Sequence, residues 1–159
     1  VRPKKLSYLV ITACLSLAAA GLVKAAAQME GGSTAASPAS SPQLDYEFFK
    51  TKVQPVFLEK RPGHSRCFLC HADPNIHAPL KLVPLSPGAT TWDEDQTRQN
   101  FELVKAVAIP GDLQSPLLTH PLAPEAGGDF NHTGGRQFLS KTDPDWLTFK
   151  AFILGEKAK

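Results

Sequence analysis

Five consecutive residues, Cys67-Phe68-Leu69-Cys70-His71, constrain this chain more than any other stretch. C-x-x-C-H is the pattern by which haem c is attached. Two thiols at this spacing can add across the two vinyl groups of one porphyrin and form two thioether bonds. The next residue then lies beneath the ring, where its imidazole can bind the iron as proximal ligand. Three plainer readings compete. A disulfide or thioredoxin-like redox pair calls for a βαβ setting, which the sequence lacks, and leaves His71 unexplained. A Cys2His2 zinc site could recruit His71 and His77, but the usual finger spacing is absent. Packing alone is the third. One covalent haem accounts for all three chemical residues and is the expectation carried forward.

The chain has 159 residues and a net charge of +2, which bounds it to about one domain with appendages and argues against nucleic acid or a strongly acidic partner. Three cysteines make no disulfide framework; with Cys67 and Cys70 on haem only Cys14 is left. Fourteen prolines and eleven glycines imply a loop-rich domain, to which a large cofactor would add apolar surface.

Residues 1–27 read as a signal peptide or an uncleaved membrane anchor. Arg2, Lys4 and Lys5 precede an uncharged run from Leu6 to Val23, and Ala25-Ala26-Ala27 offers a small-residue cleavage site. As a helix that run would be roughly 27 Å long, nearly the thickness of a bilayer core. Either reading puts the rest of the chain on the periplasmic side of an inner membrane, and an anchor would hold it to the lipid. Residues 28–43, rich in Gly, Ser, Ala, Thr and Pro, read as a flexible linker.

The folded domain is expected over 44–159. Leu44, Phe48, Phe49, Val53, Val56 and Phe57 recur at helical spacing, with Ser41 or Asp45 as cap and Pro55 set to kink or end the helix. Residues 61–66 read as a turn, and His64 within it is too close to Cys67 to reach the far side of a ring. From Asp73 to Thr90 the prolines imply a loop whose Ile76, Leu80, Leu82 and Val83 pad the haem edge. Thr91-Trp92-Asp93-Glu94 has capping-box form and opens a helix with Phe101, Val104 and Val107 as its stripe, closed by Ile109-Pro110-Gly111-Asp112. Trp92 is either a haem-stacking or a helix-start packing residue. Asp143-Pro144 starts the last helix, which buries Trp146, Phe149, Phe152 and Ile153 and stops at Gly155.

Val53-Gln54-Pro55-Val56-Phe57, the Cys67–His71 motif, the stretch from Ser115 to Phe138 and the closing Trp146 helix together resemble a bacterial monohaem cytochrome c domain of the planctomycete and acidobacterial type. The resemblance covers Leu44 to Gly155. It implies an all-α fold, a small cytochrome c-like helical domain wrapped around one haem, with terminal helices packed together. Such domains tend to carry a Ser-Leu-Leu-Leu run, a basic residue with proline, and a His-Gly-Gly-Gly segment before the last helix. Here the basic position is His120 and the segment is His132-Thr133-Gly134-Gly135, one glycine short.

Counting excludes a methionine ligand, because the only Met is Met29, in the linker. A bis-histidine haem is therefore expected, with a lower potential than a His/Met haem. His132 is the favoured partner of His71, since the glycines beside it permit close approach; His120, His77 and an open sixth position are the alternatives. The histidine left over, and Arg136, are candidates for hydrogen-bonding a propionate, a solvated Arg136 being the plainer reading. A six-coordinate haem makes the chain a one-electron carrier for a larger membrane redox complex, respiratory or a photosynthetic reaction centre. An open site, with His120 or His132 as distal acid-base group, would make it a gas sensor or small peroxidase.

Overall fold

A computed structural model describes residues 42–159. The proposed signal or anchor, and nearly all of the linker, lie outside the described residues. Among the described residues the fold is mostly helical and contains no strand, only an isolated parallel bridge between Leu122 and Phe138. No helix among them is long and apolar enough to cross a membrane.

The first helical stretch comprises α1 (Tyr46–Phe48), a π-helical turn (Phe49–Val53) and α2 (Gln54–Leu58). Asp45 caps it, its Oδ1 accepting from Phe48 N–H at 2.7 Å. Pro55 does not end the helix. Its missing N–H falls just after the π turn, where Gln54 N–H donates to Phe49 O, five residues back. The widened turn takes up the distortion that proline brings to a helix, and helical geometry then continues to Leu58.

α3 (Cys67–His71) is the cysteine–histidine motif itself. α4 (Glu94–Lys105) begins two residues later than the Thr91 capping box implies. Asp93 and Gln96 form the reciprocal box instead, at 2.8 and 3.2 Å, because Asp93 carries a better-placed acceptor at the turn where the chain becomes helical. The helix ends at Lys105, ahead of Ile109-Pro110-Gly111-Asp112, and Val107 lies beyond it. Its buried face is Val104 with the polar Thr97 and Asn100, while Phe101 is half-buried.

α5 (Pro116–Thr119) and a 3-10 turn (Pro124–Ala126) lead to α6 (Pro144–Ile153). Asp143 caps α6 through Asp145 N–H at 2.9 Å, and Pro144 occupies the first turn. Trp146, Phe149, Phe152 and Ile153 are buried, and Gly155 follows at φ +80°, which suits a residue without a Cβ. The first and last helical stretches pack through Phe49 on Phe152 and Phe57 on Phe149, with centroids 6.0 and 5.4 Å apart.

Arg61, in the turn before α3, is tied to the start of α6. It donates to Asp143 at 3.1 and 3.2 Å, pairs with Asp145, and lies 4.9 Å from the Phe138 ring centroid. Burial raises the Asp143 pKa, but the Arg61 bonds and backbone N–H groups outweigh it, and the carboxyl sits below its usual 3.8. A lowered folded-state pKa contributes stability that is complete above the unfolded value and lost as pH falls through the folded one. Urea unfolding between pH 7 and about pH 3 should therefore show a smaller acid loss for Asp143→Asn than for the wild type.

Candidate functional site

The motif helix, the loop after it, α5 and the segment before α6 enclose a cavity of about 550 Å3, a size usual for cofactor sites. Cys67, Cys70, His71, His77, His120 and His132 all line it. Much of the remaining wall is apolar, including Phe57, Leu80, Leu117, Phe138 and Phe149.

His71 Nδ1 bonds to Leu80 O at 2.9 Å, and His71 O accepts from Leu82 N–H at 2.8 Å. A carbonyl can only accept, so Nδ1 carries the proton and Nε2 keeps its lone pair. Burial, followed by the charges of His132, Lys81 and His120, pushes the His71 pKa below its usual value against the raising effect of the Leu80 bond; a neutral imidazole is the ligand form. The strap that bears Leu80 is itself held. Val83 N–H donates to Asn100 Oδ1 at 2.8 Å, and Trp92 Nε1 donates to Val83 O at 2.7 Å. Trp92 is thus a buried packing residue at the start of α4 that braces the strap. Of the four residues expected to pad a haem edge, Ile76 and Leu80 line the cavity, while Leu82 and Val83 do not and pack with the core.

Across the cavity His132 sits in a tight turn: Gly135 N–H donates to its carbonyl at 3.0 Å, and its Nδ1 donates to Gly135 O at 2.7 Å. This also leaves Nε2 with its lone pair. A Cβ on Gly134 would lie 3.2 Å from His132 Cε1 and 3.5 Å from Nε2, so the bare glycine gives the ring its room; Gly135 holds φ +89°. The His71 and His132 ring centroids are 6.2 Å apart with planes 25° from parallel. Two imidazoles bound through nitrogen to opposite faces of one metal have centroids about 6.3 Å apart, from about 2.0 Å per metal–nitrogen bond and about 1.15 Å from nitrogen to ring centre. The centroid spacing of the pair would let both imidazoles bind one iron, were a haem held in the cavity.

The His120 and His132 ring centroids are 5.8 Å apart, and His120 Nδ1 pairs with the Asp129 carboxylate. His77 is exposed at the cavity rim. His64 is half-buried against Gly135 and is not among the lining residues. Arg136 is not brought into the wall either; its guanidinium pairs with Glu125 at 2.9 Å on the surface. Arg66 and Gln137, singled out by no sequence signal, do line the cavity.

Burial pushes the Cys67 thiol up to about 11, whereas a redox dithiol needs a lowered pKa. Among the described residues no group of three or more His, Cys, Asp or Glu side chains is arranged to hold a metal ion, which weighs against a four-ligand zinc site. A haem asks for less: two thiols, two imidazoles and an apolar slot. Comparison with protein-family models, with curated proteins and with solved structures gives no match.

Proposed function

We propose that this chain is a c-type cytochrome: a one-electron carrier holding one haem c through Cys67 and Cys70, with His71 and His132 as axial ligands. The observation that carries the reading is the 6.2 Å separation of those two rings within one cavity that also contains both cysteines. When bound, haem c supplies a reversible one-electron iron couple whose potential depends on its ligands and surroundings. The residues do the rest. Leu80 and Gly135 carbonyls orient the two imidazoles through Nδ1 and fix their tautomer. Phe57, Leu117, Phe138 and Phe149 exclude water from the slot. Because both ligands are held by backbone, electron exchange demands little rearrangement. The partner in this proposal is a larger membrane redox complex, respiratory or photosynthetic, served by a domain tethered on the periplasmic side of the inner membrane.

One observation favours a second reading, a gas sensor or small peroxidase. The His120–Asp129 pair resembles an oriented acid-base group beside the distal ligand, and would be placed to act if His132 were displaced.

Intact mass and visible spectra of protein made with haem-c maturation machinery test the attachment. The wild type should gain the mass of one haem that survives acidic organic extraction. Cys67→Ser/Cys70→Ser should lose it entirely. Haem extractable from the wild type, or retained covalently by the double variant, would contradict the proposal.

A further inference from the structure

The distal loop raises the question of what keeps His132 in place. Among the described residues the hydrogen bonds of residues 130–135 are internal to the loop, with one exception. Gln137 Nε2 donates to Gly134 O at 3.0 Å and to Ser65 O at 3.3 Å. Gly134 lies two residues after His132, and Ser65 two residues before Cys67. One amide nitrogen thus joins two segments of the cavity wall, the one that carries His132 and the one that leads into Cys67. Gln137 is 5 % exposed and lines the cavity, so water cannot readily replace it. Its own backbone is fixed from the proximal side, where Arg61 Nη1 donates to Gln137 O at 3.2 Å.

We propose that Gln137 is the positioning residue for the distal ligand, bridging the His132 loop to the segment before Cys67 and so keeping the imidazole over the cavity. The assignment rests on His132 being the sixth ligand. Without the bridge no side chain among the described residues holds residues 130–135 directly from outside. The remaining hydrogen bonds lie at the flanks: Asp129 N–H on Thr119 O and Phe138 N–H on Pro121 O, both at 3.0 Å, the His120–Asp129 and Arg136–Glu125 pairs, and Arg61 on Gln137 O. The imidazole then leaves more often, and the sixth position opens.

Two variants remove the donor while keeping bulk, Gln137→Leu and Gln137→Met. In the full-length holoprotein, carbon monoxide binding to the reduced form is followed by stopped flow, with covalent haem content and thermal unfolding as controls. Both variants should bind the gas roughly tenfold faster than the wild type, the scale of one buried hydrogen bond, at unchanged haem content. Rates equal to a slow wild type would make Gln137 a packing residue only and overturn the assignment while sparing the bis-histidine reading. Failure of both variants to fold would also overturn it, since the role would then be structural. A wild type that binds the gas as fast as the variants would sink the bis-histidine reading, and this assignment with it.

Discussion

On the proposed bis-histidine haem, His132→Ala should turn a protein that resists carbon monoxide into one that binds it fully, whereas His120→Ala should leave the resistance intact. The contrast follows from their surroundings. The His132 ring centroid lies 6.2 Å from that of His71, in a backbone-fixed turn, while His120 is engaged by Asp129. With a dissociated minor state of about 1 % or less, the wild type would show an apparent affinity weaker than that of His132→Ala by about 100-fold or more. Titration of the reduced proteins with carbon monoxide reads this directly. An inert His132→Ala beside a reactive His120→Ala would reverse the ligand assignment.

Gly128→Ala should produce the largest loss of stability among single-methyl changes near the site. A Cβ there would lie 1.9 Å from Leu122 O, 2.4 Å from Leu122 C and 2.8 Å from Leu122 Cβ. The obstacle is backbone, so no side-chain rotation relieves it. Leu122 is also the residue bridged to Phe138, and the neighbouring bonds, Ala123 N–H to Phe138 O at 2.8 Å and Phe138 N–H to Pro121 O at 3.0 Å, would be strained together. The cost should be about 3 kcal/mol or more, lowering the unfolding midpoint by about 10 °C or more. Gly88→Ala is a useful contrast: its Cβ meets nothing within 4 Å, so only the backbone strain at φ +78° remains. Calorimetry showing equal, small shifts for the two would mean that the Gly128 contact relaxes freely.

Local chemistry was legible in the sequence; contacts between distant segments were not. The cap and proline at Asp143-Pro144 act through neighbours in sequence, and the last helix forms there with the anticipated four residues buried. The Cys67–His71 motif stands out by its spacing, and His132-Thr133-Gly134-Gly135 by its resemblance to a family segment; the structure makes the first a short helix and the second a tight turn lining the same cavity. Of the two outcomes expected at Pro55, an end does not occur, because the π turn before it takes up the missing N–H. Asn100, Thr97 and Gln137 have no apolar signal, and each is buried because it satisfies a backbone or side-chain group from another segment. Asp129 likewise gains its role only once the fold carries it to His120.

A covalent haem held by both His71 and His132, as proposed, would be six-coordinate. The most direct test is the visible absorption spectrum of the dithionite-reduced wild type before and after carbon monoxide. A sharp α band that the gas leaves unchanged is the expected result. A spectrum that shifts on adding the gas would mean an open sixth position, and would contradict the account in favour of the sensor or peroxidase reading.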